Sequence, residues 1–135
     1  MQTIHRIIST NTKLVQMDKN NKDYDGSDLP KSRSHVMVDT IDYIPNAIVI
    51  KTIIKRASGN ISLMSFDEGE SLLEKTSPFD SFVQVIEGKA EIVIDSTSTN
   101  LATGCGIILP AHLPNYIRSN ERFKMILTVI KSGYE

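Results

Sequence analysis

The chain has 135 residues, 40% of them hydrophobic, a formal net charge of −1 and one cysteine. That length supplies one hydrophobic core rather than two, and the balanced charge excludes a general attraction to nucleic acid or to an anionic membrane. The lone Cys105 excludes an intrachain disulfide framework and a cysteine-cluster metal site, which fits a reducing, cytoplasmic setting. Flanked by Gly104 and Gly106, with no histidine at a partner spacing, it reads as a small core residue.

At the N-terminus, His5 and Arg6 interrupt Ile4, Ile7 and Ile8, so the segment lacks the apolar stretch of a signal peptide. No apolar run approaches the roughly 18 residues of a membrane-spanning helix. From Ser9 to Ser34 the chain is polar and mixed in charge, and it cannot bury enough apolar surface to offset its ordering entropy. Residues 1–34 are therefore expected to form an arm, flexible or docked on a neighbouring subunit through the apolar pairs Ile7-Ile8 and Leu14-Val15. Residues 35–135 are expected to form a single domain.

Beyond Val36 the pattern changes to short β-branched runs separated by turn residues, as in an all-β sandwich or barrel. Strands are expected at 47–54, 61–66, 82–86, 90–94, 106–109, 116–119 and 123–130. Turns fall at Ala57 to Asn60, at Asp67 to Gly69, and at Asp95 to Asn100. Glu87-Gly88, between two apolar runs, reads as a hairpin turn in which glycine supplies the positive φ. Alternation places Ser81, Val83 and Val85 on one face of their strand and Phe82, Gln84 and Ile86 on the other. Arg122 and Lys124 alternate with Phe123 and Met125 in the same way. No stretch has helical periodicity, and no internal repeat is present.

Two glycine-anchored frames carry the remaining information. The first holds Gly69, Lys75, Ser77, Ser81 and Gly88, and the second holds Gly104, Pro110, His112, Asn115 and Ser119. Their spacings resemble the paired motifs of the cupin superfamily. In those motifs two histidines and a glutamate stand at the positions of Lys75, Ser77 and Ser81, and a third histidine stands at that of Asn115. The stretches Thr76 to Asp80, Val83 to Ile92, Leu109 to Ala111 and Glu121 to Met125 are similar to those of small single-domain bacterial cupins. The resemblance spans residues 43–131. It implies a double-stranded β-helix, the jelly-roll barrel, and a homodimer, since cupins often pair through edge strands and exchange terminal segments.

The substitutions redirect the expected chemistry. Cupin metal centres use imidazole and carboxylate ligands, which suit borderline divalent ions. Lys75 would first have to lose its proton, at a cost of about 4–5 kcal/mol at pH 7. Ser77, Ser81 and Asn115 are neutral oxygen donors of the kind harder ions prefer in larger numbers. No metal and no other cofactor is therefore expected. Inside a barrel, the Lys75 ammonium would stand near the place where relatives hold their metal's charge. Ser77, Ser81, Asn115, Asp80 and His112 complete the candidate pocket, which would suit a small anionic molecule.

Bland readings stand beside these. Lys75 can extend out of the barrel mouth and cover apolar wall with its stem. His112 can be an exposed turn residue rather than a general base, and Asp80, next to Phe79 and Pro78, can serve the turn. Two functions follow: a non-catalytic binding or structural module, or a cupin enzyme of isomerase, cyclase or dioxygenase type that relies on Lys75, His112 and Asp80.

Overall fold

The computed structural model describes residues 13–16 and 28–133. His5, the pair Ile7-Ile8 and the polar run from Asp18 to Ser27 lie outside the described residues. The described residues form nine strands: β1 Lys13–Gln16, β2 Ala47–Arg56, β3 Gly59–Phe66, β4 Ser71–Lys75, β5 Ser81–Ile94, β6 Thr97–Ala102, β7 Gly106–Leu109, β8 Asn115–Arg118 and β9 Phe123–Ile130. The helical content of the described residues is one 3-10 turn, Met37–Asp39. No helix among them is long and apolar enough to cross a membrane.

The strands form a curled sheet in the order β1-β2-β3-β9-β5-β8-β4, with β6 and β7 also paired to β5. Strand β5 belongs to both layers of the curl. Its first half pairs with β7 and β9, and its second half pairs with β6 and β8. Alternation along each strand turns Ile48, Phe66, Val83, Val85, Phe123 and Met125 of one layer toward Leu72, Ile92, Leu101 and Ile117 of the other, forming the main core.

The junction of the layers corrects the sequence reading. Glu87-Gly88 is not a hairpin turn, because β5 runs unbroken through it for 14 residues. The pairing of β5 with β9 slips between Val85 and Glu87, so the pair sits at a bulge where the strand leaves one layer for the other. Gly88 has φ +85°, and a Cβ there would lie 2.4 Å from the Arg122 carbonyl oxygen. The glycine is needed for that close approach as well as for the backbone angle. The true hairpin comes later. Asp95 (φ 47°) and Ser96 (φ 68°) form a two-residue turn between β5 and β6, where Ile94 pairs with Thr97. Thr97–Ala102 is thus a strand across most of what reads as one long turn, and β4 is a strand that the hydrophobic pattern did not reveal.

The described part of residues 1–34 packs on this same chain. Lys13–Gln16 pairs in parallel with Ala47 to Ile50, which places Leu14 against the main core. Leu29 is buried and donates its N–H to the Ile53 carbonyl at 2.8 Å. The Asp28 carboxylate accepts from the Lys55 N–H (3.1 Å) and from the Arg56 guanidinium (3.0 Å). The chain from Met37 to Ile44 then covers the outer face of β2 and β3, where Ile41, Val49 and Leu63 make a second apolar cluster. Ser65 Oγ donates to the Asp42 carbonyl, the Tyr43 hydroxyl donates to the Glu87 carboxylate at 2.6 Å, and Lys124 Nζ donates to the Val38 carbonyl. Buried Ser65 and Lys124 thereby gain the partners that burial demands.

Candidate functional site

The cavity follows from a gradient of side-chain size. Along the inward face of the β3–β9 pair, the partners are Phe66 with Phe123, Met64 with Met125, Ser62 with Leu127, and Asn60 with Val129. At one end the two phenyl rings stack, with centroids 4.4 Å apart. Toward the other end the side chains shrink and turn polar, and the layers are left apart. The resulting cavity of about 210 Å³ has apolar walls from Leu14, Ile50, Met64 and Leu127 on one layer and Leu72 and Ile117 on the other, with Leu109 of β7 beside them. Three polar residues complete the lining: Asn60, Ser62 and Lys75.

Lys75 enters the cavity through a local irregularity. Leu72 pairs with Ile117, but the next partners are Lys75 and Asn115, so β4 advances one residue more than β8 does. This bulge leaves Glu74 exposed and turns Lys75 inward, where plain alternation from Leu72 would have sent Glu74. The half-buried ammonium has no hydrogen bond or ion pair among the described residues. Burial holds its pKa below the ordinary lysine value of 10.5, with no charged neighbour contributing.

Asn115 is 3% exposed and stands in the same inward row, between Ile94 and Lys75. Its Oδ1 is buried without a hydrogen-bond partner among the described residues. It lies next to the cavity wall rather than in it.

The other sequence candidates serve the loops at this end of the barrel. Ser77 Oγ accepts from the Phe79 N–H at 3.1 Å, and the Ser77 carbonyl accepts from the His112 N–H at 2.7 Å. Asp80 Oδ1 accepts from the Ala111 N–H at 2.7 Å. His112 is exposed and has φ 69°, a left-handed angle that glycine adopts most readily. Ser81 opens β5 on the inward face, paired with Leu109 and Val129. Of these six residues, only Lys75 lines the cavity. The polar residues that share it, Asn60 and Ser62, were not singled out from sequence, although a serine between apolar Met64 and the β3 turn on an inward face was the available signal. Cys105 is exposed, which corrects its reading as a core residue.

Glycine spacing has a plain structural meaning here. The Gly69 N–H bonds the Ser119 carbonyl (2.8 Å) and the Ser119 N–H bonds the Glu70 carbonyl (2.9 Å), so the start of the first frame is tied to the end of the second. The Gly104 N–H bonds the Val85 carbonyl at 2.7 Å, tying the start of the second to the end of the first. The frames brace the two corners of the barrel whatever stands at the ligand positions.

A cupin-type metal centre does not fit these residues. The positions that would supply it hold an ammonium, a hydroxyl committed to a turn, a second hydroxyl and an amide. Among the described residues, no three His, Cys, Asp or Glu side chains are grouped to hold an ion.

No protein-family model and no curated protein matches the chain. Solved structures do. A conserved protein of unknown function from Streptococcus pyogenes is 26% identical, with a TM-score of 0.75, over 79% of this chain and 94% of that one. A cupin superfamily protein from Desulfitobacterium hafniense is 27% identical, with a TM-score of 0.72, over 77% and 95%. A Cupin 2 conserved barrel domain protein from Leptotrichia buccalis is 29% identical, with a TM-score of 0.67, over 70% of this chain and 46% of that one. With the curled two-layer sheet and both braced glycine frames in place, the chain has the RmlC-like jelly-roll fold of these cupin superfamily proteins.

Proposed function

We propose that the protein is a non-catalytic binding module that takes a small anionic molecule into its barrel, with Lys75 as the counter-charge. The observation that carries this reading is the bulge in β4, which turns a lysine with no hydrogen bond or ion pair among the described residues into a mostly apolar cavity. An ammonium desolvated in this way is costly in the empty protein, and an anion that accepts its hydrogen bonds recovers that cost. Binding is favoured over catalysis because Asp80 Oδ1 is engaged by the Ala111 N–H in the loop at the barrel's end, His112 is exposed, and neither lines the cavity. An acid–base pair built from Lys75, His112 and Asp80 has no common pocket.

The test is a thermal-shift titration of wild type and Lys75→Met with acetate, benzoate, phosphate and sulfate. Wild type should gain stability with at least one of these anions, as a ligand selective for the folded state requires, and Lys75→Met should gain none. Equal responses from the two proteins would contradict the proposal.

A further inference from the structure

The cavity's polar groups are divided between the two layers, and that division defines a ligand class. Lys75 projects from β4 on one layer, while Ser62 projects from β3 on the other. Ser62 is 8% exposed, and its hydroxyl has no hydrogen-bond partner among the described residues. Both groups are donors facing one space of about 210 Å³. Lys75 is the one charged residue in the lining. A second negative charge on the ligand would therefore be buried without compensation, which disfavours dicarboxylates and phosphate dianions. A polyol would leave most of its hydroxyls unpaired against leucine and isoleucine. The volume corresponds to about seven waters at liquid density, below the range of drug-sized pockets. It suits a molecule the size of isovalerate or benzoate.

We infer that the cavity is a monocarboxylate site. On this view, which rests on the anion-binding reading above, the carboxylate bridges Lys75 Nζ and the Ser62 hydroxyl from opposite layers. The branched or aromatic tail packs on Leu72, Leu109 and Ile117, and Leu14 of β1 closes the near side.

The experiment is isothermal titration calorimetry at pH 7 with benzoate, isovalerate, succinate, inorganic phosphate and the uncharged analogue benzamide. In wild type, benzoate or isovalerate should bind one per chain and at least about tenfold more tightly than succinate, phosphate or benzamide. Ser62→Ala should weaken the monocarboxylate by about tenfold, the loss expected for one hydrogen bond to a charged group, with an unchanged circular dichroism spectrum. Succinate or phosphate binding as tightly as benzoate would overturn the monocarboxylate assignment and leave the anion-binding reading standing. Full affinity in Ser62→Ala would overturn the bridging geometry. Failure of every anion to bind wild type would remove the underlying reading as well. The comparison among ligands in wild type needs no variant, so it stands even if a substituted protein fails to fold.

Discussion

At the scale of single residues, Lys75 is destabilising in the empty protein. Burial lowers its pKa below 10.5, so at neutral pH the folded chain carries a desolvated ammonium that the unfolded chain keeps hydrated. The sign follows from proton counting. Between the folded pKa and 10.5 the unfolded state binds more protons, so stability rises with pH across that window. Below the window both states are protonated and the whole penalty is present. Lys75→Met should therefore raise the melting temperature at pH 7 in the absence of ligand, and its advantage should shrink as pH approaches 10.5. Scanning calorimetry at several pH values checks both statements, and a constant difference would contradict them. Asn115 makes a parallel case. Its buried Oδ1 lacks a partner, so Asn115→Leu, similar in shape, removes an unsatisfied acceptor. The substitution should be neutral or stabilise by about 1 kcal/mol in urea unfolding.

At the scale of elements, two bulges control the molecule. The one in β5 lets a single strand serve both layers, and Gly88 is its steric condition. Gly88→Ala should cost about 3 kcal/mol or more, combining a left-handed backbone angle with a Cβ placed 2.4 Å from the Arg122 carbonyl oxygen. Urea unfolding measures this, and a cost under about 1 kcal/mol would contradict the assigned role. The bulge in β4 decides which side chain reaches the cavity. Both features show why some of the architecture was legible in the sequence and some was not. The β-branched runs of β2, β3, β7 and β9, and the faces of Ser81 to Ile86 and of Arg122 to Met125, are features that a one-dimensional pattern records. Glu87-Gly88 has the composition of a hairpin turn, and only its tertiary neighbour, Arg122, makes it a bulge instead. The Asp95-Ser96 turn uses two non-glycine residues with positive φ and is followed by the polar strand Thr97–Ala102, so no hydrophobic signal marks it. The candidate site was legible only at Lys75, because the motif frame fixes its position along the chain. The partners that share its cavity are set by the β3–β9 register and lie outside both frames.

At the scale of the whole molecule, the sheet bearing β2, β3 and β9 is covered on both faces. Outside, the chain from Leu29 to Ile44 packs over Val49 and Leu63. Inside, the stacked pair Phe66 and Phe123 fills one end of the barrel. The cavity lies at the other end, where Ser62 and Asn60 replace bulk. The cupin-like barrel thus keeps an apolar interior cavity with one charged residue, Lys75, in its lining. The measurement that tests this account most directly is a pH titration of the Lys75 side-chain ¹³Cε resonance, with and without saturating benzoate. The account predicts a midpoint below 10.5 in the free protein and a rise when the anion binds, because the bound carboxylate stabilises the ammonium. A midpoint at 10.5 that benzoate leaves unmoved would place Lys75 in water and contradict the barrel as an anion site.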